Sequence, residues 1–137
     1  MTTKNIPIWI DCDTGTDDTV AIMLAHALPE LEIIGLSAVA GNSLLSNTFP
    51  NTRRIVHLLG ASYPVYAGAD RPLLRKPHIA GAFHGENGLG GVELPLPEQA
   101  PLSMPAWDAL YEAAKAMPGE LRLVATGPLT NVAIALT

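Results

Sequence analysis

Short apolar runs alternate with longer helix-like segments along this chain, and that rhythm restricts the possible folds more than any other feature. Four runs are rich in isoleucine, leucine, valine and alanine, as buried strands are: residues 6–10, 31–42, 63–68 and 121–127. Strands that alternate with helices favour parallel pairing, because each crossover through a helix returns the chain to the same end of the sheet. We therefore predict an α/β fold with an open, mostly parallel sheet and helices on both faces.

The first helix-like segment begins near Asp17 and ends at Pro29, since a proline disfavours the helical conformation of the residue before it. Five apolar residues recur at the i, i+3 and i+4 spacing of a buried helix face. They are Val20, Met23, Leu24, Ala27 and Leu28. The segment is predicted to be a helix that buries this face.

Three further helices are predicted. Residues 46–60 form one, with a late start or a kink at Pro50 because proline lacks a backbone N–H. Residues 106–117 form the next, and the last begins with Pro128 at or near its first helical position. Residues 69–105 are rich in proline and glycine and lack periodicity, so we predict a loop that could act as a lid over a site.

Composition excludes several classes of protein. The chain has 137 residues, 48% of them hydrophobic, which suits one folded domain and argues against disorder. The formal net charge of −5 gives no basic surface for nucleic acid or for an anionic membrane. A single cysteine, Cys12, rules out an internal disulfide framework and suggests the cytoplasm. No apolar run is long enough to be a secretory signal or to span a bilayer.

Four carboxylates fall within eight positions directly after the first strand-like run: Asp11, Asp13, Asp17 and Asp18. Carboxylates spaced this closely repel one another unless a cation neutralises them. Calcium takes about six to eight oxygen ligands and accepts both carboxylates and backbone carbonyls. We expect Gly15 to let the loop turn sharply, which would bring the later aspartates back towards Asp13.

Two other segments place polar residues at the same edge of the predicted sheet. The sequence AGN at 40–42 follows the second strand, and TGPLTN at 126–131 follows the fourth. Ligands of open α/β sheets bind beyond the carboxyl ends of the strands. The convergence of three strand ends that carry Asp, Asn and Thr therefore predicts a binding site at this edge.

Other interpretations of the acidic cluster remain open at this point. Asp17 and Asp18 could simply favour the positive end of a helix dipole, with the earlier aspartates in solvent. An EF-hand is excluded, because Thr16 occupies its glycine position and Ile22 its glutamate position. In a phosphatase of the haloacid-dehalogenase type, Asp11 would be the nucleophile and Asp13 the acid/base, but its D-x-D-x-T loop would have Thr or Val where this chain has Gly15.

The sequence DCDTGTDDTVAIMLA resembles the signature D-x-D-[PT]-G-x-D-D-x-x-A of the inosine-uridine preferring nucleoside hydrolase family. The segments AVAGN, HGENGLGG and TGPLTN follow in the family's order, so the resemblance covers essentially the whole chain. It implies a Rossmann-like sheet. Because family members are considerably longer, residues 1–137 look like the N-terminal part of a single truncated domain whose C-terminal part is absent.

The resemblance also implies a function and a cofactor. The family hydrolyses the N-glycosidic bond of ribonucleosides to ribose and free base, and it uses a calcium-bound water that an aspartate activates. Carried over by position, Asp13 and Asp18 would be Ca²⁺ ligands and Thr126 would add its backbone carbonyl. Asp13 would also take the proton of the attacking water. With the C-terminal ligands absent, we expect the fragment alone to be inactive.

Further roles follow from the same resemblance. Asp17 would bind ribose hydroxyls, and Asn42 would contact the ribose or the attacking water. Asp11 would support the loop from behind. His84 lies where some members have a histidine that faces the base, and a histidine can exchange protons near neutral pH. Asn87 replaces the Asp common at its position, so no role is carried over to it.

The expected partner is a small-molecule nucleoside, with no nucleic acid and no membrane. For the full-length protein the resemblance implies a homo-oligomer, either a dimer or a tetramer, in the cytoplasm. A third possibility is a non-enzymatic fragment that self-associates through an unpaired sheet edge. That interpretation predicts no catalysis.

Overall fold

The computed structural model describes residues 5–79 and 81–137. Its strands form one parallel sheet with the order β3-β2-β1-β4. The strands are β1 (Ile6–Cys12), β2 (Leu31–Ala38), β3 (Val65–Ala67) and β4 (Arg122–Ala125). The predicted parallel sheet is therefore confirmed, and each strand overlaps a predicted apolar run, with β1 extending two residues beyond its run.

Five helices connect and flank the strands in the described part of the chain. They are α1 (Thr16–Ala27), α2 (Leu45–Leu58), α3 (Gly81–His84), α4 (Ala106–Ala116) and α5 (Thr130–Ala135). The short α3 lies in the segment that we predicted to be a loop, because four residues are too few to give a periodic pattern. Among the described residues, no helix is long and apolar enough to cross a membrane.

Two helix starts differ from the predictions. α2 begins at Leu45 and runs through Pro50, so the late start was wrong. Pro50 is the sixth residue of α2, so the helix continues past it without the hydrogen bond that an N–H at this position would donate to the carbonyl of Ser46. α5 begins at Thr130 with Leu129 as its N-cap, so Pro128 precedes the helix and does not occupy its first position.

The predicted buried face of α1 was also wrong. The helix buries Asp18, Ile22 and Ala25, whereas Val20 and Leu24 are 64% and 57% exposed. Apolar residues surround most of this helix, so the i, i+3, i+4 pattern fits more than one face. The sheet selects the face that includes Asp18, and this selection directs a carboxylate inwards.

Side chains of β1 alternate between the two faces of the sheet. Ile8, Ile10 and Cys12 join the larger core, which includes residues of α1 and α2. Trp9 lies on the other face with residues of α4, where it stacks on Tyr66 with ring centroids 5.6 Å apart. Both faces are therefore covered by helices, as predicted. Because Asp11 shares the face of Trp9, its carboxylate lies inside the protein.

One edge of the sheet is open in the described chain. All four residues of β4 are exposed, and the strand pairs only with β1 among the described residues. Its apolar side chains Leu123 and Val124 are 40% and 39% exposed. The unpaired sheet edge on which self-association would depend is therefore present among the described residues, and it exposes apolar side chains.

Candidate active site

The candidate site lies at the carboxyl end of β1. This strand is hydrogen-bonded to β2 on one side and to β4 on the other, so the strand order reverses at β1. Ligands of open α/β sheets bind in the crevice that forms at such a reversal. Asp13 follows β1 directly, and Asp18 lies in the first turn of α1.

Asp13 is only 5% exposed. Its Oδ2 accepts a hydrogen bond from the backbone N–H of Asn42 at 2.6 Å, and its carbonyl accepts one from Asn42 Nδ2 at 3.2 Å. Burial raises the pKa of Asp13, the Asn42 N–H opposes this, and the carboxylates of Asp18 and Asp17 raise it further. The raised pKa therefore reflects a buried carboxylate that lies near two other carboxylates.

Asp18 is 3% exposed and accepts hydrogen bonds at both carboxylate oxygens. Oδ2 accepts from Gly15 N at 3.0 Å and from Asn42 Nδ2 at 3.4 Å. Oδ1 accepts from the hydroxyl of Thr126 at 2.5 Å. Residues from the ends of β1, β2 and β4 therefore meet around this carboxylate. Three of the predicted site residues, Asn42, Asp18 and Thr126, are in direct contact.

The described residues provide some, but not all, of the oxygen ligands that a hard cation needs. No Lys or Arg among them forms an ion pair with Asp13 or Asp18. Apart from the Asn42 N–H, the only described group known to bond to this carboxylate is the backbone N–H of Asp13 itself, so the carboxylate keeps capacity for a further ligand. Within the same part of the chain, however, no group of three or more His, Cys, Asp or Glu side chains is placed to hold a metal ion. The site therefore offers two carboxylates and neutral oxygens, which is fewer than calcium's full shell of about six to eight.

The reason for a glycine at position 15 differs from the one predicted. Gly15 has φ −108°, an extended conformation open to any residue, so no sharp turn requires it. A Cβ atom at this position would lie 2.7 Å from Nδ1 of His84. Glycine thus allows His84 to lie against the loop, where Nδ1 is 3.4 Å from the hydroxyl of Thr16. Asp17 is exposed in the same turn of α1.

The segment that carries His84 is anchored on α2. Asn47 Nδ2 donates to the carbonyl of Glu86 at 3.0 Å, and Asn51 Nδ2 donates to the carbonyl of Asn87 at 2.7 Å. Asn87 also orders the turn itself, because its Oδ1 accepts from two backbone N–H groups and its Nδ2 donates to a carbonyl. Asn87 therefore has a clear conformational use, although it departs from the family's Asp.

Asp11 lies within β1 and is fully buried, so it is not part of an exposed loop. Its Oδ1 accepts from Ser37 Oγ at 2.5 Å and from Asn131 Nδ2 at 2.8 Å, while Oδ2 has no hydrogen-bond partner among the described residues. Burial raises the pKa of Asp11, and these two hydrogen bonds oppose the shift. A group enclosed in this way cannot attack a phosphate ester, which argues against the haloacid-dehalogenase mechanism.

The burial of Asp11 predicts a pH-dependent stability. The pKa of Asp11 in the folded state lies above the ordinary value of 3.8. In the pH interval between the unfolded-state and folded-state pKa values, the native state therefore binds more protons than the unfolded state. The free energy of unfolding should therefore fall as pH rises through it. Asp11→Asn removes this contribution, and urea unfolding should show the variant gaining stability relative to wild type as pH rises above about 4. Asp108→Asn, at an exposed site, is the control. If the stability of Asp11→Asn relative to wild type fell as pH rose, the raised pKa of Asp11 would be wrong.

Cys12 should be chemically inert in the native protein. It is fully buried, and burial raises the pKa of its thiol to about 12. Because the thiolate is the reactive form, a thiol-specific reagent at about pH 8 should modify Cys12 only after unfolding in guanidinium. In the control variant Ser62→Cys, the exposed position 62 should react at once in the native state while Cys12 stays protected. Equal reaction rates of the two thiols would contradict this burial.

Sequence reasoning missed two residues beneath the site. Ser37 accepts a hydrogen bond from Trp9 Nε1 at 2.8 Å and donates to Asp11. Asn131 is fully buried and contacts Asp11 directly. Asn131 is the last residue of the TGPLTN motif, so the motif contained the signal without assigning the residue a role.

These features belong to a known class of protein. The family model for inosine-uridine preferring nucleoside hydrolases matches residues 8–137, and the chain therefore belongs to the nucleoside hydrolase family. This confirms the resemblance carried by the four sequence motifs. The acidic loop, the Asn42 segment, the His84 segment and the Thr126 segment all lie within the matched region.

Individual proteins that are similar to this chain are named as ribonucleoside hydrolases. The chain is 44% identical over 132 residues to the pyrimidine-specific ribonucleoside hydrolase RihA of Salmonella arizonae, which covers 96% of this chain and 42% of that protein. It is 39% identical over 132 residues to the non-specific ribonucleoside hydrolase RihC of Escherichia fergusonii. That match covers 96% of this chain and 43% of RihC. The chain thus spans about two fifths of the length of these curated relatives.

Solved structures show the same fold. A plant nucleoside hydrolase, PpNRh1, superposes with a TM-score of 0.90 at 34% identity, covering 96% of this chain and 42% of that one. A purine-preferring ribonucleoside hydrolase from Gardnerella vaginalis gives a TM-score of 0.90 at 35% identity, covering 95% and 43%. The predicted α/β fold of this family is therefore confirmed for the part of the domain that the chain spans.

Proposed function

We propose that this chain carries the cation-binding and water-activating part of a calcium-dependent ribonucleoside hydrolase. The reaction is hydrolysis of the N-glycosidic bond to give ribose and a free base. One observation supports this most: Asp13 and Asp18 are buried side by side, share Asn42, and have no cationic partner among the described residues. Two buried carboxylates without such a partner are unfavourable unless a cation joins them.

Asp13, Asp18 and the backbone carbonyl of Thr126 would hold the calcium. When bound, calcium would lower the pKa of a water molecule and hold the ribose hydroxyls. Asp13 would act as the general base, and Oδ1, the oxygen that the Asn42 N–H does not bond, would accept the water's proton. The Asn42 N–H fixes the other oxygen of this carboxylate, so the base keeps a single orientation.

The remaining residues act on the nucleoside. Asp17, exposed beside the carboxylate pair, binds a ribose hydroxyl and places C1′ near the water. The transition state should resemble an oxocarbenium ion, as in the hydrolysis of O-glycosides. Nearby carboxylates stabilise its positive charge. His84, which lies against Gly15, would face the leaving base and donate a proton to it.

The substrate class is ribonucleosides in general, because the similar proteins are named pyrimidine-specific, non-specific and purine-preferring. We also propose that residues 1–137 are inactive on their own. The described part supplies only two clustered carboxylates, and calcium affinity falls as ligand number and charge fall.

A chimera tests this proposal. This chain would replace the matching 132 residues of RihA from Salmonella arizonae. We expect the chimera to release free base from uridine in calcium, to lose activity after chelation and to regain it when calcium is restored, whereas the 137-residue chain alone releases none. A folded chimera that retains full activity after exhaustive chelation would contradict the role of the cation. Full activity in the isolated chain would contradict the proposed inactivity.

A further inference from the structure

The side chain of Asn131 joins the ends of three strands. This residue lies in the first turn of α5 and is fully buried. Its Nδ2 donates to Asp11 Oδ1 in β1 at 2.8 Å and to the carbonyl of Ala38, the last residue of β2, at 3.2 Å. Its Oδ1 accepts from the N–H of Ala69, just beyond β3, at 2.8 Å. A single amide therefore ties β1, β2 and β3 together at their carboxyl ends.

Two of these contacts, at Asp11 and Ala38, lie within a few residues of a site residue along the chain. Asp11 is two residues before Asp13 in the chain, and Ala38 is four residues before Asn42. Asn131 is itself five residues after Thr126, whose N–H donates to the carbonyl of Asp11 at 2.9 Å. Displacing the amide would therefore move the origins of three segments that meet around the carboxylate pair.

We propose that Asn131 is a positioning residue, whose amide sets the relative placement of Asp13, Asn42 and Thr126. The inference rests on the proposed function for its catalytic meaning, although the geometry that it describes exists without cation or substrate. Asn131 does not touch the substrate or the reacting atoms. It acts through the strand ends that carry the residues which do.

The chemistry of the amide explains why asparagine serves here. An amide offers two N–H donors and one acceptor oxygen in a single plane, and the three contacts use both kinds of group. Aspartate at this position would keep the acceptor for Ala69 but would oppose the carboxylate of Asp11 and lose the donor to Ala38. An apolar residue would leave all three buried partners without this hydrogen bond, which is costly.

A purely structural role makes a different prediction from a positioning role. If Asn131 only stabilised the fold, its loss would accelerate global unfolding and raise hydrogen exchange at core amides by one common factor. If it positions the site, exchange should rise selectively at the amides of Asn42 and Thr126, which bond to Asp13 and Asp11. Native-state hydrogen exchange separates local from global opening.

The test measures amide exchange by NMR in the 137-residue chain without calcium. The variants are Asn131→Asp, the reciprocal pair Asp11→Asn with Asn131→Asp, and Ile55→Val as a control in the fully buried core of α2. We expect Asn131→Asp to speed exchange at Asn42 and Thr126 by about tenfold relative to the core amide of Val56, because a hydrogen bond to a charged group is lost. Ile55→Val should leave these ratios unchanged.

The reciprocal pair restores a donor at position 11 facing an acceptor at position 131, so it should return the exchange ratios towards wild type. Uniform acceleration in Asn131→Asp, or no change at Asn42 and Thr126, would overturn the proposal. If Asn131→Asp does not fold, the double variant Asp11→Asn with Asn131→Asp provides the test. Protection of the Asn42 and Thr126 amides in the double variant would support the positioning role. Loss of that protection, or of folding, would refute it. Because no calcium or nucleoside is present, failure here is distinguishable from failure of the proposed activity.

Discussion

Asp13→Asn is expected to lower kcat/KM for uridine hydrolysis by about 10²- to 10⁴-fold in the chimera, the range that general bases contribute. The substitution is nearly isosteric, and an amide oxygen can still accept the hydrogen bond from Asn42 N–H. A neutral amide, however, can neither take the proton of the attacking water nor offset the charge of a cation. Steady-state kinetics at saturating calcium measures the effect.

Asp108→Asn provides the matched control for that experiment. This aspartate lies exposed in the first turn of α4, away from the carboxylate pair, so the same chemical change should leave kcat/KM unaltered. Should Asp13→Asn retain activity within about threefold of the parent chimera, Asp13 would not be the general base. Calcium affinity measured on the same samples shows whether loss of the cation or of the base causes the defect.

Gly68→Ala is expected to destabilise the fold by about 3 kcal/mol or more, at the upper end of the usual cost of overpacking. A Cβ at this position would collide with both side-chain polar atoms of Asn131 and with the carbonyl oxygen of Ala38. A backbone oxygen cannot move aside, and displacing Asn131 would break its buried hydrogen bonds. Since small domains are stable by about 5–15 kcal/mol, urea unfolding should show a large loss.

Gly60→Ala separates this collision from the ordinary effect of replacing glycine. Gly60 has φ +64° but nothing lies within 4 Å of an added Cβ, so the cost should be limited to about 1 kcal/mol of backbone strain. If the two substitutions cost the same, crowding around Asn131 would not explain the need for glycine at position 68. If Gly68→Ala were neutral, the packing described around Asn131 would be wrong.

The strands could be predicted from the sequence because strands that are buried on both faces consist almost entirely of apolar residues. The apolar run at 6–10 predicted β1, and the polar segments after the first, second and fourth strands predicted where a site would form. The position of Asp18 and Thr126 in one cluster could also be anticipated, because parallel strands place their carboxyl ends at the same edge.

Other features depend on packing partners that are distant in the chain. The buried face of α1 was chosen wrongly because apolar residues surround the helix, and only the sheet decides that Ile22 points inwards and Leu24 outwards. Gly15 is explained by the proximity of His84, which lies 69 positions later in the sequence. Nothing in the sequence was a reason to assign Asn131 a role, because the strand ends that it joins come together only in the fold.

Crystals of the chimera grown with calcium test the central claim most directly. Anomalous scattering should locate one cation contacted by a carboxylate oxygen of Asp13 and by one of Asp18, at distances of about 2.3–2.6 Å. Such density would establish that the two buried carboxylates share a single hard ion. Their side chains turned apart, with no cation between them at saturating calcium, would contradict the account.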